Sequence, residues 1–289
     1  MARRETATGY ALLAPSLIGI LAFLLLPIGV VVWLSTQQWD LLFPPQFVGL
    51  DNWVSVLTDP TFGRSALISV LFVLLVIPVQ TALGLLLATL LSRGLPGSAF
   101  LRVIYVIPWM CAPLALGVVW RWIFSPSDGA LNAITGVYVE WLSSPVLALP
   151  AVAAVSIWSQ VGYVTLFFMA GLAAIPATLI DAARVDGASA WQIFWRVKLP
   201  LLRPTMFFVL VTGVIASFQA FDQIYALTPG GGPEGTTDVI ATRIYDEAFR
   251  GSSDLGRASV MALLLFLVLV VITLAQQRYF RSRITYDLS

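Results

Sequence analysis

The chain has 289 residues, 59% of them hydrophobic and only 11% charged, against roughly 25% charge in an ordinary soluble domain. A net charge of +1 and the absence of histidine exclude nucleic-acid binding by bulk charge, His-based acid–base chemistry and the usual zinc sites. The single cysteine, Cys111, excludes an intramolecular disulfide.

Six windows are long and apolar enough to cross a hydrocarbon core of about 30 Å. They fall near 10–34, 66–92, 101–124, 147–175, 204–227 and 257–280. The expected fold is therefore all-α: a polytopic membrane protein of six transmembrane helices, because a helix satisfies its own backbone groups in lipid. The N-terminal Met1-Ala-Arg-Arg looks like the start of a signal peptide. The apolar run that follows, from Tyr10 to Leu34, is too long for one and has no clear cleavage site, so it reads as a retained first span. Prolines at 15, 27, 78, 108, 113 and 150 predict kinks in or near the spans.

Six spans put both termini on one side. That side, with the 176–203 loop, holds all the basic residues except Arg64, Arg121, Arg243, Arg250 and Arg257. The positive-inside rule makes it cytoplasmic, which implies a multi-pass membrane protein with both termini in the cytoplasm. The acids collect in the outer connections 35–65, 125–145 and 228–256. Pro126-Ser-Asp-Gly129 reads as a turn, and Thr228-Pro-Gly-Gly-Gly-Pro233 as a turn-rich loop ahead of a short helix over Thr237–Phe249. Without an internal repeat or low-complexity tail, residues 1–289 read as a single transmembrane domain carrying a polar loop at 177–203.

That loop is the anomalous stretch. Thr178 and Asp181 have capping-box spacing, Gly187 offers a left-handed helix stop, and Ser189 and Gln192 repeat the capping box. Leu199-Pro200 is expected to close the second helix. Small alanines on one helix and Trp191, Phe194 and Trp195 on the other suit a protein-docking element. They suit an amphipathic helix at the membrane surface equally well.

The pattern Asp181-Ala-Ala-x-x-Asp-Gly-Ala, followed by Phe194, Leu199-Pro200 and Pro204, resembles the "EAA" loop of binding-protein-dependent ABC importer permeases, with Asp181 where that family carries glutamate. Phe47-Val-Gly-Leu-Asp-Asn-Trp53, Pro108 to Trp120 with Gly129-x-x-Asn132, and Leu227-Thr-Pro-Gly-Gly-Gly-Pro233 resemble its sugar branch, the maltose and glycerol-phosphate type. The resemblance implies a type I importer of the bacterial cytoplasmic membrane. Its partners would be a second homologous permease subunit, two ATPase subunits and an extracytoplasmic solute-binding protein, in membrane lipid and without nucleic acid. It also implies that Asp181, Ala182, Ala183, Asp186 and Gly187 form the coupling helix seated in an ATPase cleft.

The chain itself is expected to be non-catalytic and to bind neither cofactor nor metal. A P-loop needs a lysine followed by Ser or Thr, and the only lysine, Lys198, precedes Leu199. ATP and its magnesium would belong to the partner ATPase.

Polar residues inside spans mark a pathway by default. The fourth span carries Ser156, Trp158, Ser159, Gln160 and Tyr163, and the fifth carries Ser217, Gln219, Asp222, Gln223 and Tyr225. Positions 156, 160 and 163 share a helical face, and a continuous fifth helix would align 218, 222 and 225. Gln160, Tyr163, Ser217, Gln219, Asp222 and Tyr225 are the candidate solute pathway. The resemblance places Gln160, Tyr163, Ser217 and Gln219 near the family's sugar contacts. Helix-to-helix hydrogen bonding, at about 0.6 kcal/mol each, is the alternative role for any one of them. Asp222 is expected at the outer mouth, paired with Arg121 or Arg243.

No basic residue lies midway along the fourth or fifth span, which favours a neutral or amino sugar, a disaccharide included. Glycerol 3-phosphate or its diesters on the same scaffold is the alternative. A secondary transporter would need an ion-coupling site and usually an inverted repeat; a membrane enzyme would need clustered catalytic acids or a metal. The sequence carries neither set.

Overall fold

The computed structural model describes residues 12–94, 97–250 and 253–281. The expected start of the first span at Tyr10, and the terminal Arg3, Arg4 and Arg283, lie outside that range. Among the described residues, four helices are long and apolar enough to cross a membrane: α1 (Leu12–Leu34), α3 (Pro60–Leu91), α7 (Ala148–Ala173) and α13 (Leu255–Arg281). Two bent pairs raise the number to six. The first pair is α4 (Ser98–Met110) with α5 (Pro113–Ile123), and the second is α9 (Ala190–Leu201) with α10 (Arg203–Phe218). Short helices fill the connections: α2 (Asp51–Leu57), α6 (Ala130–Thr135), α8 (Ala177–Val185), α11 (Asp222–Leu227) and α12 (Ile240–Phe249). Strands β1 (Gln37–Gln38) and β2 (Gln46–Phe47) form a small antiparallel hairpin.

The chain divides into two compact units, one of residues up to Gly63 with Arg243–Leu267, the other of Arg64–Thr242 with residues from Val268 onward. In the first unit, the amide of Asn52 donates to the Ser35 and Gln37 carbonyls (3.1 and 2.8 Å), and Trp53 donates to the Ser35 hydroxyl. These bonds account for the Asp-Asn-Trp motif. Gly256 packs directly on the Gln37 carbonyl, where a Cβ would overlap it. Val56, Val260 and Met261 form the core, with Trp53, Phe62, Ile244 and Leu264 around them.

Arg257 clamps this unit by donating to Glu247 (2.6 Å), Asp59 (2.8 Å) and the Ser55 hydroxyl. Burial alone would raise the Asp59 carboxyl; the Thr61 hydroxyl and amide, with the Arg257 guanidinium, outweigh it and hold it below the ordinary value.

The prolines act in different ways. Pro78 lies inside α3, which stays continuous. Pro27 and Pro200 each follow a π turn, Leu21–Leu25 and Phe194–Lys198. The residue before each proline donates to a carbonyl five positions back, Leu26 to Leu21 and Leu199 to Phe194. The widened turn accommodates a ring that would clash in a regular helix. Leu199-Pro200 therefore does not end the second loop helix, as the sequence suggested. The chain bends after it, by 65° between α9 and α10.

Two expected spans are not single helices. The third breaks at Cys111-Ala112, both extended ahead of Pro113, and its halves diverge by 99°. Pro113 forces this, because the residue before proline is pushed out of the α region. The fifth ends at Phe218 and resumes at Asp222 as α11. Residues 218, 222 and 225 therefore do not share one face, because the non-helical Phe221 (φ −125°, ψ −67°) intervenes. α11 buries Ile224, Ala226 and Leu227 and lies against α5 at Gly117, where a Cβ would meet Ala226.

The second unit is built around α7. Ala88, Val164, Phe168, Leu172, Ile175, Leu202 and Val209 form a continuous core there. At Gly162 the backbone of α7 meets that of α4, and a Cβ would overlap the Tyr105 carbonyl. Small residues at such crossings are what lets membrane helices pack closely. The connections after α5 and α11 are tied down individually. Asn132 donates to the Pro126 and Val139 carbonyls and accepts from the Trp141 indole (3.1, 2.9 and 2.8 Å). The glycine-rich loop is fixed by the Thr237–Thr228 hydroxyl bond (2.8 Å), by Ser65 donating to Asp238 (2.9 Å) and by the Ile240 amide donating to Ser69 (2.8 Å).

Candidate functional site

A cavity of about 280 Å³ lies among α3, α4, α7, α10 and α11. α7 contributes Ser156, Gln160 and Tyr163 from near its midpoint, on successive turns of one face. α3 contributes Phe72, Val76 and Gln80, and α10 contributes Val209, Thr212, Gly213 and Ser217. Trp109, one residue before the C-terminal end of α4, and Gln223 of α11 complete the polar wall.

None of the lining residues carries a charge. Trp109 stacks on Tyr163, with centroids 4.7 Å apart and planes 22° apart. Tyr163 in turn meets Phe167 edge-on at 4.7 Å, and Phe167 contacts Phe208 at 4.8 Å. This aromatic row fixes the platform's orientation. The Ser156 hydroxyl donates to Gln223 Oε1 (3.2 Å).

Of the pathway residues expected from sequence, Gln160, Tyr163 and Ser217 line the cavity. Gln219 and Asp222 are exposed at the break between α10 and α11, outside the lining, and Tyr225 stacks on Phe221 at 5.1 Å. Arg243 pairs with Glu247 (3.7 Å) rather than with Asp222. Asp222 and Arg121 form no ion pair among the described residues. Gln80, Trp109 and Thr212 were not anticipated. Gln80 carried a signal, as the one amide side chain in the 66–92 run. Trp109, next to Pro108 in an apolar stretch, carried none.

The polar loop forms the second candidate surface. Pro176 occupies the N-cap of α8 without a side-chain bond, so the expected Thr178–Asp181 capping box does not form. The helix starts earlier, and Asp181 instead pairs with Arg184 (2.9 Å). Its other end is as expected. Gly187 has φ +78°, and the Gly187 and Ala188 amides donate to the Arg184 and Ala183 carbonyls (3.0 and 2.9 Å). That is a Schellman stop.

The second capping box is formed in full, with Ser189 and Gln192 bonding reciprocally. Asp181, Ala182, Asp186 and Gly187 are exposed, and Ala183 is half-buried. Val185 is 87% and Trp191 70% exposed. Trp191 and Trp195 meet edge-on at 5.3 Å, while Ile193 and the half-buried Ile180 face inward. The loop thus presents exposed apolar side chains and charges of both signs on a fixed frame.

Comparison with known proteins is consistent across nearly the whole chain. The family model described as "Binding-protein-dependent transport system inner membrane component" matches residues 80–286. The sn-glycerol-3-phosphate transport system permease protein UgpA of Agrobacterium fabrum is 35% identical over 282 residues, 96% of each chain. The trehalose/maltose transport system permease protein MalF of Thermococcus litoralis is 34% identical over 286 residues, 97% of this chain and 96% of that one. Among solved structures, a chain of a bacterial alginate ABC transporter in complex with an alginate-bound periplasmic protein superimposes with a TM-score of 0.85 at 23% identity, covering 96% of each chain. A chain of the MetNI methionine ABC transporter gives 0.56 at 19% identity, over 78% of this chain and 97% of that one.

Proposed function

Because the chain belongs to the family of inner-membrane components of binding-protein-dependent transport systems, we propose that it conducts a neutral sugar through the cavity around Tyr163, as one of two permease subunits of an ATP-driven importer. The observation that carries this is the cavity's chemistry: amides, hydroxyls and a stacked indole–phenol pair, with no charged residue in the wall. Ring faces cover the C–H faces of a sugar, and amides meet its hydroxyls. A second, homologous permease, two ATPases and an extracytoplasmic binding protein complete the assembly. Both termini and the α8–α9 loop face the cytoplasm.

The cycle is alternating access. The loaded binding protein docks on the outer connections. ATP binding draws the ATPases together, and the α8 segment around Asp181, Ala182, Ala183, Asp186 and Gly187 transmits that motion to α7 and α10 as a rigid lever. Hydrolysis returns the pore to the inward-facing state. The Schellman stop and the capping box support the lever role, since a frayed loop would dissipate the displacement.

Glycerol 3-phosphate is the second reading, favoured by the relative at 35% identity. It fits the cavity less well, because a dianion in an uncharged, desolvated wall is costly. The test is uptake into proteoliposomes holding the complete importer. ATP- and binding-protein-dependent entry of a neutral sugar is expected, with glycerol 3-phosphate excluded. Import of glycerol 3-phosphate with no neutral sugar accepted would overturn the sugar reading.

A further inference from the structure

Two polar groups on the cavity wall have no partner among the described residues. Gln80 is 4% exposed, and its Oε1 is buried without a hydrogen bond. Gln223 uses its Oε1 to accept from Ser156, which leaves its buried Nε2 without an acceptor. A buried polar group left unpaired is destabilising, and native structures hold few of them. Here the two residues that carry one unused acceptor and one unused donor line the same uncharged cavity.

The volume, about 280 Å³, holds about nine waters at liquid density and sits at the small end of ligand pockets. A solute that fills the cavity and leaves these two groups unpaired has a lower affinity, so it must bond to them.

A hydroxyl does so, because it both donates and accepts. An ionised phosphate oxygen only accepts, so it leaves Gln80 Oε1 without a donor. We propose that Gln80 and Gln223 are the specificity-determining pair of this permease, reading the hydroxyls of a single neutral sugar ring seated against the Trp109–Tyr163 stack. A longer saccharide is read one ring at a time. The proposal rests on the sugar-import reading above and adds to it the groups that choose the ring.

The test uses the intact importer in proteoliposomes, with uptake of radiolabelled pentoses, hexoses, hexosamines, maltose and trehalose, and then of single-deoxy analogues of whichever sugar the wild type imports. In the wild type, deleting the hydroxyl that meets Gln80 lowers uptake at least tenfold. In Gln80→Leu, the parent sugar itself falls at least tenfold and the same deoxy analogue now enters at the parent's rate. Gln223→Leu behaves likewise. A merely structural role would lower all analogues in proportion and leave their ratios unchanged, which overturns the pair. Co-purification of each variant with the ATPase subunits reports assembly. If Gln80→Leu fails to assemble, the Gln223→Leu ratios decide. Wild-type uptake of none of the neutral sugars overturns the sugar reading itself, a result distinct from unchanged ratios in the variants.

Discussion

The cavity and the α8–α9 loop are built by opposite means. Every angle of the loop is set within a few residues: Gly187 stops α8 through bonds to Arg184 and Ala183, and Ser189 and Gln192 start α9 on each other. The cavity has no local determinant of this kind. Its wall comes from five helices, and Gln80 and Gln223 are separated by most of the second unit's sequence. Damage to the loop should therefore stay local, whereas damage at a helix crossing should destroy the cavity and the fold together.

The strongest way to break that contrast is Gly162→Leu. The crossing of α7 and α4 leaves no room for a Cβ against the Tyr105 carbonyl, which is backbone and cannot step aside. The expected result is loss of the folded permease, read as aggregation on size-exclusion chromatography and as poor membrane yield. A variant that folds and transports normally would mean that α4 and α7 do not touch there.

The same contrast explains how much the sequence disclosed. The existence of the spans, the loop and its second capping box follow from composition and short-range spacing, and they stand. What failed were breaks and partners decided at long range. The fifth span has neither glycine nor proline between Phe218 and Asp222, yet the helix ends there and the following α11 buries Ile224, Ala226 and Leu227. This displaced Asp222 and Tyr225 from the face they were expected to share with Phe218, and Gln219 lies outside the cavity lining. The third span did hold its signal, Pro113, but a proline marks a boundary without giving the angle. At Thr178 the spacing was right, yet Pro176, pre-set for a helix start, took the N-cap first. Pro113 marks the end of α4 beside Trp109, but that this end meets the cavity depends on long-range packing.

On the loop side, Gly187→Val forces a β-branched residue to φ +78°, at a cost of about 1–3 kcal/mol. Nothing lies within 4 Å of the added Cβ, so the penalty is conformational alone. Helix content of the spans should persist, while association with the ATPases should fall. Full transport with normal ATPase co-purification would remove the lever role. A milder version is Ser189→Ala, which deletes one half of the capping box. The expected cost is about 1 kcal/mol, seen as faster amide hydrogen exchange over 189–193 with no change at Gln160 or Tyr163. Spread of the effect into α7 would show that the loop is not the independent unit its caps imply.

The smallest expected effect separates surface from structure most sharply. Asp181 and Arg184 form an i,i+3 pair at 2.9 Å, with side chains 64% and 67% exposed. Such pairs contribute about 0.3–0.5 kcal/mol, because water screens both charges and two long side chains lose freedom. Asp181→Asn should therefore leave the thermal midpoint of the isolated permease nearly unchanged. If the loop seats an ATPase, the same substitution removes a charge from the contact and weakens co-purification, and Asp181→Glu, which keeps the charge, restores most of it. A shift in the isolated chain of more than about 1 kcal/mol, beyond the range for exposed pairs, would make Asp181 a structural residue and leave its exposure without a docking role.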